Sequence, residues 1–150
     1  MTLFAPLQRF RPRILAPLAL AALALVAFGA ESAAPRTVWD GVFSSGQVQR
    51  GKKGYESQCA RCHGETLGGG EDSPALVDQN FLKGWFGKSV GELVEYTREE
   101  MPSDGPGKLS RRQCTDIAAF LLDANGFPAG QNDLEPEVGA LNQIQITPKK

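Results

Sequence analysis

The stretch Cys59-Ala60-Arg61-Cys62-His63 limits what this chain can fold into more than any other. Two cysteines three positions apart lie on the same side of one helical turn, so both thiols can reach one edge of a planar macrocycle. The histidine that follows comes round to the face of that macrocycle, where its imidazole can bind a central iron. C-x-x-C-H in this order is the attachment pattern of a c-type haem, with Cys59 and Cys62 as thioether anchors and His63 as the proximal ligand. One short turn thus makes three bonds to one cofactor, and the rest of the chain has to wrap round it.

Two other uses of such a turn fit the sequence less well. A thioredoxin-like redox pair needs a βαβ context, and the flanks 54–58 and 64–68 carry no strand pattern. A structural zinc site needs four ligands, usually as two separated pairs, and only Cys114 remains to join Cys59, Cys62 and His63.

The 150 residues predict one domain preceded by a targeting segment. Arg9, Arg11 and Arg13 form a basic region ahead of the apolar run Ile14–Phe28, which is short for a bilayer span and is followed by the small residues Gly29 and Ala30. Residues 1–30 therefore read as a secretory signal, cleaved after Gly29 or Ala30, or retained as an N-terminal anchor. Either outcome places the domain outside the cytoplasm, in the periplasm, where bacteria attach haem to reduced thiols. Without its three arginines the 16 Lys and Arg become 13 against 17 Asp and Glu, a net charge of about −4 with His neutral. That balance argues against a nucleic-acid partner.

Along the chain, residues 31–43 show no clean period, and no convincing sheet can be built anywhere. Ser45 is placed to cap a helix over about Gln47–Cys59 with Val48, Gly51, Tyr55 and Cys59 on one stripe. Gly51 in mid-helix disfavours that helix by about 1 kcal/mol relative to Ala, and the close approach of another helix would explain it. Residues 64–73 read as a flexible glycine-rich loop, since Glu71 and Asp72 would repel a phosphate. Pro74-Ala75-Leu76 follows as an extended apolar piece able to lie along one face of the haem.

Two capping boxes open the remaining strong helices. Ser89 and Glu92 start a helix whose face holds Val90, Leu93, Val94 and Thr97, and Pro102 forces it to end at about Glu100. Ser110 and Gln113 start another, with Leu109 and Cys114 as a hydrophobic staple, an apolar face of Cys114, Ile117, Ala118 and Leu121, and a stop at Asn125-Gly126. The staple position makes Cys114 a small buried apolar residue rather than a reactive or intermolecular thiol. Trp85 reads either as a hydrogen-bond donor to a haem propionate or as a packing aromatic. Residues 129–150 form a C-terminal extension with Leu134, Val138, Leu141 and Ile144, expected to wrap back over the domain surface.

The other axial ligand follows by elimination. His63 is the only histidine, and Met1 belongs to the signal, so Met101 is the one thioether of the mature chain. Placed 38 positions after His63, at a helix end beside a proline-bent loop, it can return to the opposite face of the iron. A Met that only fills a core gap is the other reading of such a residue, and the haem pattern beside it favours the ligand. A five-coordinate haem in a four-helix bundle would carry its motif near the C-terminus, in the last helix. Here the motif ends the first helix of the domain.

These features together resemble a class I c-type cytochrome: Cys59-x-x-Cys62-His63, Gly51-x-x-x-Tyr55, Pro74-Ala75-Leu76, Met101-Pro102 and the helix Asp116–Leu121, over roughly residues 44–126. The resemblance implies an all-α cytochrome c fold, with three main helices plus loops wrapped round one covalent haem c, and a domain spanning 31–128. It also implies that the first and last helices cross with Gly51 against Phe120, and that the Pro74 carbonyl accepts the Nδ1–H of His63. Trp39-Asp40-Gly41-Val42-Phe43, the run from Met101 to Ser110 and Ala124–Pro128 are similar to small periplasmic cytochromes associated with quinoprotein (PQQ-dependent) dehydrogenases.

The expectation is therefore a monohaem electron-transfer protein, or an electron-transfer subunit of a dehydrogenase complex, and not an enzyme. Cys59 and Cys62 would anchor the haem, with His63 and Met101 as axial ligands. Its partners would be a dehydrogenase donor and a cytochrome or oxidase acceptor of the respiratory chain. It would have no obligate homo-oligomer, and membrane contact only if residues 1–30 are retained. The rival is a haem-based gas-binding or sensor module whose sixth ligand is displaceable.

Overall fold

The computed structural model describes residues 35–71 and 73–149, and the signal or anchor expected over 1–30 lies outside them. The described residues belong to one compact unit, 34–150. Its elements run β1 (Arg36–Thr37), a 3-10 turn (Val38–Asp40), α1 (Ser45–Gln58), α2 (Ala60–His63), α3 (Gln79–Trp85), α4 (Val90–Glu100), α5 (Arg111–Ala124), α6 (Val138–Leu141) and β2 (Ile144–Gln145). The expected mostly helical architecture is present, with α1, α4 and α5 as its three long helices. Among the described residues no helix is long and apolar enough to cross a membrane.

The crossing of α1 and α5 is the foundation. Ser44, one residue before the expected cap, accepts the Gln47 N–H at 3.0 Å and starts α1. Two adjacent serines can both cap, and the helix takes the one whose extended backbone lies just outside it. The buried face of α1 carries Gln47, Val48, Gly51 and Tyr55. A Cβ on Gly51 would sit 1.8 Å from the Asp116 carbonyl oxygen and 3.0 Å from Phe120 Cβ, so the two helices meet backbone to backbone. Beside that contact the rings of Tyr55 and Phe120 stand 5.4 Å apart.

Both predicted capping boxes form, Ser89 with Glu92 and Ser110 with Gln113. α4 buries Val90, Leu93, Val94 and Thr97 and packs on α5, whose buried residues include Cys114, Ile117, Ala118 and Leu121. Cys114 is fully buried, and burial pushes its thiol up to about 11. α5 ends in a Schellman turn: Phe127 N–H donates to Leu122 O and Gly126 N–H to Asp123 O, with Gly126 at φ +85°.

The C-terminal segment does more than lie over the surface. Leu134, Leu141, Ile144 and Ile146 are buried in the core, so residues 129–147 are a structural part of the domain. Gln47 holds Leu134 in both directions, its amide oxygen accepting Leu134 N–H at 2.7 Å and its amide N–H donating to Leu134 O at 3.1 Å. Farther on, β2 pairs in parallel with β1, a small sheet absent from the expectation, with Arg36 opposite Ile144 and Thr37 opposite Gln145. Ile146 N–H then donates to Lys88 O and its carbonyl accepts Gly87 N–H, which pins the segment just before α4.

Candidate functional site

The turn that carries the motif is closed by short-range hydrogen bonds. α1 stops at Gln58, Cys59 leaves helical geometry at φ −123°, and α2 begins again at Ala60. Cys62 and His63 N–H both donate to Cys59 O, at 3.1 and 3.0 Å, which places the two cysteines on one short turn as their spacing requires. Neither is in a disulfide; Cys59 is half-buried and Cys62 exposed. Burial pushes the Cys59 thiol up to about 11, so in the bare protein it is neutral near pH 7. Beyond the turn, Tyr55 Oη donates to Gly64 O at 2.6 Å and Gly69 N–H donates to His63 O at 2.9 Å.

His63 is buried, and its Nδ1 lies 2.8 Å from Pro74 O. A carbonyl can only accept, so the proton sits on Nδ1, and Nε2 keeps the lone pair that a metal needs. This is the contact the resemblance implied for Pro74.

α4 supplies the other side. It ends at Glu100, and Met101 takes an extended backbone at φ −122°, ψ 148°, as the following Pro102 requires. Cys59, Cys62, His63 and Met101 all line one cavity of about 830 Å³, within the size range that encloses a cofactor. Leu76, Leu93, Ile117 and Leu121 also line it and make its interior largely apolar. The donor set, two thiols, one imidazole with a free Nε2 and one thioether around an apolar chamber, fits a covalently attached haem. Among the described residues no group of three or more His, Cys, Asp or Glu is arranged to hold a metal ion directly, so Cys114 completes no zinc site with the motif.

Residues 46–121, just over half of the chain, match the family described as cytochrome c oxidase, cbb3-type, subunit III. The chain belongs to that family. It is a class I monohaem c-type cytochrome, an electron-transfer protein rather than an enzyme, and its cofactor is covalently bound haem c. Among solved structures it is similar to the sulfane dehydrogenase SoxCD from Paracoccus pantotrophus, at 22% identity over 72% of this chain and with a TM-score of 0.48. The match spans 61% of that other chain. No curated protein sequence matches.

The cytochrome's cavity is also lined by Phe81, Lys88 and Tyr96, which the sequence did not point to, and by Trp85, for which a propionate donor or a packing aromatic was expected. α3 brings Phe81 and Trp85, and α4 brings Tyr96, into an aromatic group with Trp85 at its centre, 6.3 Å from the Phe81 ring and 5.7 Å from the Tyr96 ring. Lys88 Nζ lies 4.7 Å from the centre of the Trp85 ring, within cation–π range. Lys88 is the one lysine or arginine among the lining residues. The sequence signal for α3 was Asp78, whose carboxylate accepts the N–H groups of Asn80 and Phe81.

Proposed function

We propose that this cytochrome is an exported, periplasmic carrier of single electrons, with Cys59 and Cys62 as thioether anchors and His63 and Met101 as axial ligands. It takes electrons from a quinoprotein dehydrogenase and passes them to the respiratory chain. The observation that carries the ligand assignment is the convergence of Cys59, Cys62, His63 and Met101 on one cavity, with His63 Nδ1 already committed to Pro74. The haem supplies reversible one-electron chemistry, and a Met/His pair sets it at a raised potential suited to accepting electrons. The protein's own residues fix the imidazole, present the thioether and keep the chamber apolar.

Export is supported by Arg9, Arg11, Arg13 and the apolar run to Phe28. The dehydrogenase is supported by the likeness of residues 39–43, 101–110 and 124–128 to cytochromes of that association. Docking is weak and transient through a small patch at the haem edge, because turnover requires release.

The test mixes the purified oxidised protein with a quinoprotein alcohol or sugar dehydrogenase and follows the haem spectrum. Reduction should require both the enzyme and its substrate, and a haem that stays oxidised with every such donor refutes the partner. Adding carbon monoxide to the reduced protein separates the carrier from the gas-binding reading. Slow or negligible binding is expected, and immediate stoichiometric binding favours the sensor.

A further inference from the structure

The loop after Met101 is closed on its own side by two backbone bonds. Gly105 N–H donates to Pro102 O at 2.9 Å, and Gly107 N–H donates to Arg98 O at 3.0 Å. Both tie the loop to itself or to α4. The tie to the attachment turn is made by side chains: Arg61 Nη2 donates to Asp104 Oδ2 at 2.5 Å, across 43 positions of sequence. Arg61 stands between the two anchoring cysteines, and Asp104 lines the cavity three residues after Met101. Lys108 Nζ lies 3.7 Å from the other Asp104 oxygen, so the carboxylate is gripped from both sides. Both partners of the Arg61–Asp104 pair are well exposed, at 76% and 51%, and exposed pairs add little to global stability. What this pair does have is position: it joins the turn that holds one proposed iron ligand to the loop that follows the other.

We propose that Arg61 and Asp104 are positioning residues that hold the 102–107 loop, and Met101 with it, against the attachment turn, closing the sixth coordination position to small external molecules. The inference rests on the reading of Met101 as the sixth ligand. For an outside molecule to bind, the Met101 thioether has to leave the iron and the newcomer take its place, one bond broken and one formed with no change of oxidation state. The thioether departs farther and for longer when the loop is free to swing. The pair thereby keeps a carrier from behaving as a gas binder.

The experiment uses the full-length haem-loaded protein and follows carbon monoxide binding after reduction, together with the methionine–iron charge-transfer band of the oxidised form. Asp104→Asn is the main variant, because it lies outside the attachment turn, and Arg61→Gln is its counterpart. Each is expected to bind carbon monoxide roughly two- to fivefold faster than the wild type, the scale on which an exposed pair acts. Arg61→Lys and the swapped Arg61→Asp/Asp104→Arg pair should return towards the wild-type rate. Carbon monoxide is uncharged, so added salt should speed binding to the wild type by screening the pair while leaving Asp104→Asn unchanged. A wild type that shows the band and binds slowly, with Asp104→Asn identical to it at low salt, overturns the positioning role alone. A wild type that lacks the band and binds at once overturns the Met101 ligation itself and the positioning role with it.

Discussion

The side of the cavity that carries His63 and the side that carries Met101 are built on different length scales. Around His63 the contacts are local: Tyr55 reaches Gly64 across 9 positions, and His63 reaches Pro74 across 11. On the Met101 side the loop after Met101 closes locally, but the helix that carries it is held remotely at its start: Ser89, which caps α4, donates to Asn142 across 53 positions, and the segment before it pairs with Ile146. A ring of short-range bonds fixes one imidazole and its tautomer with little help from the rest of the chain. The methionine depends on a helix whose first turn is held by the far end of the polypeptide. The first side should therefore survive changes that loosen the second.

The two sides share α5, and the largest effect is expected where that shared foundation is struck. Gly51→Ala puts a methyl group 1.8 Å from the Asp116 carbonyl oxygen, a backbone atom that can yield only if α1 and α5 separate. The expected loss is about 3 kcal/mol or more, by urea titration of the haem-loaded protein. It should remove the distinction between the sides, with His63 and Met101 coordination lost in one transition. A variant as stable as the wild type would show that the crossing is not what unites them.

Met101→Ala comes next and isolates the remote side. Haem should stay covalently attached through Cys59 and Cys62, while the oxidised protein loses its low-spin spectrum and its reduction potential falls. An unchanged spectrum would mean that the thioether is not the ligand.

Much of this division could be read from the residues. Ser89-x-x-Glu92 and Ser110-x-x-Gln113 announce their helices because side chain and backbone satisfy one another within four positions. Gly51 announced a close approach because nothing else justifies it in a helix interior, and one histidine and one mature methionine left little freedom for the iron ligands. What stayed hidden has physical reasons. α3 buries no residue completely and so has no apolar period to detect. The β1–β2 pairing is two residues long, too short for alternation to show, and its partners lie at the two ends of the domain. The buried Val38 opens a 3-10 turn, and the buried Val42 and Phe43 follow that turn and a left-handed Gly41, so their spacing matches neither helix nor strand. Tertiary pairing of distant short segments leaves no local mark, and the Met101 side leans on such pairing.

Ile146→Ala tests that dependence directly. Ile146 is 1% exposed, and truncating a buried isoleucine of this kind costs about 2–4 kcal/mol. Amide hydrogen exchange should quicken over residues 87–100 and leave 60–64 near the wild-type rate. Equal acceleration in both segments would erase the difference in length scale. A smaller change on the local side is Tyr55→Phe, which takes the closer of two donors from the Gly64 carbonyl and leaves it the Leu67 N–H at 3.2 Å. A loss of about 1 kcal/mol is expected, with faster exchange confined to the turn. If exchange over 87–100 quickens as much, the local ring is not self-contained.

The smallest effect concerns acid. Glu95 joins α4 to α5: Arg111 Nε donates to it at 2.7 Å and Arg98 Nη2 at 2.9 Å, and its side chain is 26% exposed. The Arg111 hydrogen bond, more than the opposing effect of burial, holds the Glu95 carboxyl below its ordinary value, and Arg98 adds to it. A carboxyl with a depressed pKa in the folded protein gives stability that is present above its unfolded value, about 4.3, and is lost as pH falls through the folded value. Glu95→Gln removes that contribution, so its cost should be largest above about pH 5, under about 1 kcal/mol for a partly exposed group, and should shrink as pH falls below about 4. Asp104 is depressed by its Arg61 hydrogen bond, and Asp133 by the Ser44 hydroxyl and then Arg50, so the wild type keeps other acid-sensitive groups and only the difference between the two proteins reports on Glu95. Urea midpoints at pH 6, 5, 4 and 3 measure it. Two curves that stay parallel over this range would mean that the Glu95 pairs do not help to hold α4, and that packing against α5 and the tail alone secures the methionine side.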